Sequence, residues 1–205
     1  MLNPGGISME FKNPDAIFWQ APVATDQTRG DIAQVGYFVK WDTKTNPDNP
    51  RAKLCRLFIN PTDTSNYRIY SDRKNWLNDA VIKEVAPADN FEDSTGEKAG
   101  WRGLVAEDVI GFWARWKDGA NKQITTYDSR ATLALPKLVE ISVVQLDAKA
   151  AGRVTPQQQA RIAELAGEST DANHFIEQFR ELPEFQGLYT GARAMSASVR
   201  LENAR

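Results

Sequence analysis

The sequence predicts an α+β fold, mostly antiparallel β-sheet with a few helices, on two observations. Up to Asp147, short segments rich in aromatic and β-branched residues are bounded by turn-forming residues, which is typical of strands. After Asp147 the apolar residues recur at helical spacing, until a last alternating segment closes the chain. Strands first and helices afterwards is the element order of α+β proteins.

The length and composition of the chain limit the architectures and the classes of partner that it can have. The 205 residues, of which 41% are hydrophobic, suit one body with a real core, so we predict a single globular domain over residues 1–205. The chain has 25 basic and 27 acidic residues, a formal net charge of −2, and the basic residues are scattered. Nucleic-acid binding requires clustered positive charge, so no nucleic-acid partner is predicted.

Four strands are predicted in the first third of the chain, over residues 16–22, 33–41, 53–59 and 67–71. Turn-forming stretches such as "TKTNPDNPR" and "NPTDTSN" separate them. In the third segment Cys55 alternates with Arg56, so the two side chains point to opposite faces of the sheet. We expect Cys55 to be a buried thiol and Arg56 to lie on the more polar face.

The middle of the chain contains a loop, a hairpin and the strongest strand. Residues 84–103 are predicted to form a flexible acidic loop, and residues 109–117 and 123–130 a β-hairpin around "DGANK". Residues 138–146 are apolar at nearly every position, which favours a central strand over an exposed edge. Pro136 cannot donate a ladder hydrogen bond, so it marks the beginning of this strand, and Asp147 begins the change to helix.

Two helices and a last strand complete the chain. The first helix has Thr155 as its N-cap and Pro156 as its first residue, with Ile162 and Leu165 on one face and Gly167 near its end. The second carries an apolar stripe and is closed by a proline: Phe175, Ile176, Phe179, Leu182 and Pro183. The tail "AMSASVRLENAR" alternates apolar and polar residues and is predicted to be a strand.

No catalytic, cofactor-binding or metal-binding residues are predicted. The one histidine, His174, lies in the amphipathic second helix, where we expect it to be half-buried or on the surface, and the chain has no G-x-S-x-G motif. Asp128, in "YDSR", is a candidate for a glycosidase carboxylate pair only in the general sense that any acid is, and it suits a turn. A hydrolase is therefore the third hypothesis, and the chain is predicted not to be an enzyme.

The acidic loop raises a calcium hypothesis. Its segment from Asp89 to Glu97 is rich in oxygen ligands. It departs from the calcium-loop pattern, because Phe91 stands where an oxygen ligand is needed and Gly96 is misplaced. We predict no cofactor and keep Ca²⁺ in this loop only as an alternative to a solvated acidic segment.

Six tryptophans raise a carbohydrate-binding hypothesis, since exposed aromatic rings stack on sugars. Trp113 and Trp116 lie three residues apart and face opposite ways on a strand, so we expect one in the core and the other against solvent or a partner. Trp41, Trp76 and Trp101 lie beside turn-like segments, which makes them candidates for exposed rings, but we expect most of them to pack in the core or to anchor loops. The alternative function is a secreted β-rich carbohydrate-binding module or adhesin that uses Trp41, Trp101 or Trp116.

Several segments, in order and spacing, resemble a known family. They are "AIFWQAPV", "QVGYFVKW", "CRLFINPTDTSNYRIYSDRKNWL", "VAEDVIGFWARW", "YDSR", "LPKLVEISVVQLDAKAAGRV" and the closing "MSASVRLENAR". Together they resemble the Verru_Chthon cassette pilin-like proteins, which are similar to the J-type minor pseudopilin of type II secretion and the W-type minor pilin of type IV pili. The resemblance covers about residues 16–205, with gaps.

The resemblance implies a fold and a role. Such proteins are made as prepilins with a leader and a long apolar N-terminal helix that anchors and polymerises them. That assembly helix is missing from this chain, so we expect the chain to be the soluble globular head, with antiparallel sheets that pack on the helix. The implied partners are other minor pseudopilins or pilins and the secreted cargo. The implied location is the periplasm or cell envelope, with anchoring in the inner membrane before assembly.

Overall fold

The computed structural model describes residues 1–4, 7–43, 47–69, 76–78, 81–82, 103–118, 120, 122–124, 126–127 and 136–201. It consists of two four-stranded antiparallel sheets and a group of short helices, so the predicted α+β class is confirmed. Most of the predicted loop at 84–103 lies outside the described residues, as do residues 70–75 and 128–135.

The first sheet has the strand order β1-β2-β3-β4. Its strands are β1 Ala16–Ala21, β2 Ala33–Asp42, β3 Arg51–Ile59 and β4 Gly103–Glu107. The first three confirm predicted strands, whereas β4 was not predicted. Cys55 is fully buried as expected, and Arg56 on the opposite face is half-buried.

The predicted strand at 67–71 is wrong over Tyr67 to Ile69, which are turn and irregular structure. The Tyr67 N–H donates to the Asp63 carbonyl at 2.8 Å and so closes a turn. Its hydroxyl donates to the Ile32 carbonyl, also at 2.8 Å. The aromatic residues that suggested a strand therefore include one that anchors a loop to the sheet.

The second sheet has the strand order β6-β5-β7-β8. Its strands are β5 Val109–Lys117, β6 Gln123–Ile124, β7 Leu138–Leu146 and β8 Ala192–Arg200. The hairpin is confirmed by the pairing of Trp116 with Ile124, although β6 has only two residues. β7 lies between β5 and β8, which confirms the predicted central strand.

The helices are α1 Ala148–Ala151, α2 Pro156–Glu168, α3 Ala172–Glu181 and α4 Gln186–Tyr189, with 3-10 turns at Met9–Phe11 and Pro183–Phe185. α2 and α3 confirm the two predicted helices, and Thr155 forms the expected cap with Gln158 as its capping-box partner. Asp147 caps α1 by accepting the Ala150 N–H at 2.7 Å. α1 and α4 have four residues each, too few to show a helical period.

The helices cover one face of the second sheet, and Trp113 is the centre of that contact. Its fully buried indole N–H donates to the carbonyls of Ala166 and Ser169, at 3.2 and 3.1 Å, where α2 ends. Phe175 of α3 packs against the same ring, with centroids 5.4 Å apart. Gly111 leaves room for this ring, because a Cβ there would lie 2.3 Å from it. The contact therefore fixes both helices on the sheet.

Asp108 joins the two sheets. It is the single residue between β4 and β5, and it has the left-handed φ of 62° that Asp tolerates better than most residues. Its N–H donates to Ala52 of β3 at 2.7 Å, and its carbonyl accepts the Leu146 N–H of β7 at 2.9 Å. Its carboxylate binds the Arg51 guanidinium through two hydrogen bonds of 2.6 Å, and this bonding raises the pKa of Arg51.

A second polar link ties the N-terminal segment to β5 and the helices. The buried Asp15 accepts the Ala114 N–H at 2.9 Å and pairs with the Arg115 guanidinium. Arg115 in turn donates from Nε to the Thr170 carbonyl at 2.7 Å, just ahead of α3. Paired and hydrogen-bonded in this way, the carboxylate is buried without an unsatisfied charge.

We predict that Asp108→Ala lowers the free energy of unfolding by about 3 kcal/mol, since it removes two charge-assisted hydrogen bonds and places Ala in a left-handed conformation. Asp108→Asn keeps the left-handed tolerance and one polar contact, so we expect a loss of about 1.5 kcal/mol. Urea unfolding followed by circular dichroism measures both values. Equal losses in the two variants would contradict this account of the junction.

We also predict a pH-dependent stabilisation at the start of α3. Burial raises the pKa of Asp171, but the hydrogen bonds it accepts from the His174 N–H, the Thr170 hydroxyl and the Asn173 N–H outweigh this effect and lower the pKa. A lowered pKa in the folded state means that the stabilisation is complete above the ordinary carboxyl range and is lost as the pH falls through the folded value.

The matched variants at this cap are Asp171→Ala and Asp171→Asn. We expect the alanine variant to lose about 1 kcal/mol of unfolding free energy at neutral pH, and the asparagine variant much less, because an amide oxygen still caps the helix. Thermal unfolding at neutral and at acidic pH measures the difference. The gap between wild type and Asp171→Ala should narrow in acid, and an unchanged gap would refute the role of the carboxylate.

Candidate functional site

The candidate site is the face of the second sheet that is turned away from the helices. Trp116 of β5 is paired with Val139 of β7, which is paired with Val199 of β8, so the three side chains share this face. The next positions continue it with Ile141, paired with Ala197, and Val143, paired with Met195. We call these residues the apolar face: Trp116, Val139, Ile141, Val143, Met195, Ala197 and Val199.

The apolar face is covered at one side and open at the other. Trp116 and Val139 are 8% and 9% exposed, whereas Met195 and Val199 are 48% and 51% exposed. Ile17 of β1 and Val39 of β2 belong to the same core cluster as Trp116, so the first sheet covers the β5 side. In the part of the chain that the structure describes, the β8 side is left to solvent.

A cavity of about 490 Å³ opens between the first sheet and the apolar face. Ile17 and Trp19 of β1 line it on one side, and Trp116, Val139 and Val199 on the other. Trp19 is 38% exposed and stacks on Tyr37, with ring centroids 5.7 Å apart. The cavity walls are mostly apolar side chains, so the site suits an apolar surface better than a charged small molecule.

The local sequence explains why β8 exposes apolar side chains. Met195, Ala197 and Val199 alternate with Ser196 and Ser198, so all three apolar residues point to one face. A strand with this alternation normally buries its apolar side. In this chain the helices pack on the opposite side, so the apolar side of β8 is available to bind.

The tryptophan predictions are partly wrong. Trp113 and Trp116 do face opposite ways, but both are buried, because helices cover one face of β5 and the first sheet covers the other. Trp76 is buried at 5% exposure, which agrees with the core role expected for most of the other tryptophans. Trp41 is half-buried against the main core, and Trp101 lies outside the described residues.

Sequence reasoning missed Trp19, the exposed tryptophan at the rim of the cavity. The strand that contains Trp19 was predicted. However, the preceding residues of β1 are apolar on both faces, so their pattern does not indicate which face of the strand is exposed to solvent. The useful signal was the polar Gln20 beside it, which indicates that β1 leaves the core at this end.

Of the residues considered for chemistry, the structure describes His174, in α3, and Cys55, in β3. His174 is half-buried, and its Nδ1 accepts the Thr170 N–H at 3.2 Å, as a structural histidine does. Cys55 is buried in the first sheet. Asp128 and the segment from Asp89 to Glu97 lie outside the described residues, so the structure does not test them. Among the described residues no three His, Cys, Asp or Glu side chains are grouped closely enough to hold a metal ion.

A smaller cavity of about 360 Å³ lies beside Trp41 and α2. Its charged side chains have local partners: Lys40 pairs with Glu10 at 3.3 Å, Asp42 pairs with Lys53 at 2.7 Å, and Lys12 donates to the Pro4 carbonyl at 3.2 Å. Because these side chains already have partners, the cavity offers less to a charged ligand than its composition suggests. The apolar face is therefore the stronger candidate.

Comparison of the chain with protein-family models, curated proteins and solved structures finds no match. Of the helices in the described ranges, none has the length and apolar character needed to cross a membrane. Function must therefore be argued from the fold and the apolar face.

We predict that the apolar face binds the fluorescent dye anilinonaphthalene sulfonate in the folded protein. Val199→Glu places a carboxylate beside the cavity and should weaken dye binding about tenfold, or by about 1.4 kcal/mol. Val105→Glu is the matched control, because Val105 is 49% exposed but lies on the first sheet. Equal dye titration curves for the two variants would show that the dye binds elsewhere.

Proposed function

We propose that the chain is the globular head of a non-enzymatic minor pseudopilin, in a type II secretion or type IV pilus-like system. Its role is to assemble the pseudopilus or to form the complex at its tip. Two antiparallel sheets with a few helices agree with the architecture that the sequence resemblance implies. The partners are other minor pseudopilins or pilins, together with the secreted cargo.

The observation that carries the proposal is the apolar face. A pilin-like head packs one antiparallel sheet on the second half of its assembly helix, which presents an apolar stripe. The apolar face spans β5, β7 and β8, and its exposed side, with Met195 and Val199, is continuous with the buried cluster around Trp116. A helix laid along it would extend the existing core.

The proposal places the protein in the cell envelope. A head of this kind faces the periplasm and is anchored in the inner membrane until it enters the filament. The carbohydrate-binding alternative stays a prediction. It named Trp41, Trp101 and Trp116, of which Trp116 is buried and Trp41 half-buried.

The first test is the sequence that precedes Met1 in the native gene. We expect a prepilin leader followed by about 20 apolar residues. An ordinary signal peptide with no such stretch would refute the proposal. This test is independent of any property of the isolated head.

The second test asks whether the apolar face is needed for assembly. In cells of the source organism, full-length protein carrying Val199→Glu should be stable but at least about tenfold depleted from sheared filaments, because a carboxylate on the face opposes helix packing. Val105→Glu, at matched exposure on the first sheet, should assemble as wild type. Normal assembly of the Val199 variant, or absence of the wild-type protein from filaments, would contradict the proposed role.

A further inference from the structure

β8 is the longest edge strand in the described part of the molecule. The sheets end in β1, β4, β6 and β8, which have six, five, two and nine residues. β1 is partly covered by a bridge from Leu2 to Ile17, and β4 pairs with β3 through a register shift. β8 pairs with β7 in one regular register along its whole length, without a bulge.

Two backbone hydrogen bonds show which groups of β8 face outward. The Leu201 N–H donates to the Lys137 carbonyl at 2.9 Å, and the Gly191 carbonyl accepts the Asp147 N–H at 2.8 Å. Odd-numbered positions therefore direct their N–H and C=O groups towards β7. Since these directions alternate along a strand, Ser196 and Ser198 direct theirs to the open edge.

Between Ala194 and Val199, β8 lacks the features that normally protect an edge strand, including a charged side chain. It contains no proline, no lysine and no bulge, and every side chain from Met195 to Arg200 is exposed. A long, regular and exposed edge of this kind is a template for pairing with another strand. Peptide segments bind to such edges through main-chain hydrogen bonds, with side chains at alternate positions giving specificity.

The charges on β8 favour an acidic partner strand over a second copy of this chain. Arg193 and Arg200 stand near its two ends, the strand has no acidic residue, and neither arginine forms an ion pair with a described residue. Antiparallel pairing of two β8 strands would bring together four arginines and no carboxylate. Charge therefore does not favour a second copy, whereas carboxylates opposite the arginines of one strand stabilise a pair.

From these observations we propose that β8 binds an extended acidic segment of a partner protein, which adds to the second sheet as an antiparallel fifth strand. Carboxylates of the segment lie opposite Arg193 and Arg200, and its apolar side chains pack beside Met195, Ala197 and Val199. The inference goes beyond the proposed filament role and does not require it, because it rests on the strand edge alone.

The probe is a nine-residue peptide that alternates valine and threonine, with glutamate at the positions opposite Arg200 and Arg193. Its valines fall on the side of Met195 and Val199 in the antiparallel register. We expect a fluorescein-labelled peptide to bind the protein in anisotropy titrations. The same peptide with lysine at both glutamate positions should bind about tenfold more weakly, or by about 1.4 kcal/mol.

Ser196→Pro tests the edge directly. It removes an outward N–H and leaves the ladder to β7 intact, which is the setting in which an edge strand tolerates proline. We expect it to abolish peptide binding, while the matched Ser196→Ala variant binds as wild type. A peptide that is N-methylated at the residues whose N–H groups face β8 gives the same test without changing the protein, and it should not bind.

Each other outcome overturns the inference. Equal binding of the glutamate and lysine peptides would refute the claim that the partner segment is acidic. Undiminished binding of the N-methylated peptide, or of the glutamate peptide to the Ser196→Pro variant, would refute binding by strand addition. A dimer in sedimentation that Ser196→Pro disrupts would make a second copy the occupant. None of these results bears on the gene sequence ahead of Met1, so failure here is distinguishable from failure of the filament proposal.

Discussion

The junction at Asp108 is the constraint on which the rest of the structure depends. One residue separates the last strand of the first sheet from β5, and its N–H bonds to the first sheet while its carbonyl bonds to the second. The carboxylate adds two charge-assisted hydrogen bonds to Arg51. A connection this short leaves the two sheets little freedom of relative position, so it fixes which face of β5 meets the first sheet.

That fixed position decides the use of both faces of the second sheet. The first sheet covers the side chains of β5 on one face, which buries Trp116. The other face is free to receive the helices, and Trp113 holds them there through hydrogen bonds to the end of α2. Among the described residues, a cavity separates the first sheet from Val199, and Met195 and Val199 stay exposed. The apolar face is thus a consequence of how the sheets are joined.

The same arrangement gives β8 two separate binding features. Its side chains at 195, 197 and 199 extend an apolar surface, and its outward backbone groups form an open sheet edge. The first suits an apolar helix and the second an extended segment, and their chemistry differs because one relies on burial of apolar area and the other on main-chain hydrogen bonds. The proposed filament contact and the proposed strand addition would therefore use different chemistry at one border of the second sheet.

The sequence by itself determined the elements whose signals are local. Alternation and apolar runs placed β1, β2, β3, β5, β7 and β8, and caps placed the two longer helices at Thr155 and before Pro183. Only the tertiary structure decided that Trp76 and Trp116 are buried, that Tyr67 anchors a turn, that 103–107 is a strand, and that the apolar side of β8 is open. The physical reason is that the periodicity of apolar residues indicates which side chains share a face of a strand or helix. Whether that face is buried depends on which other part of the chain packs against it.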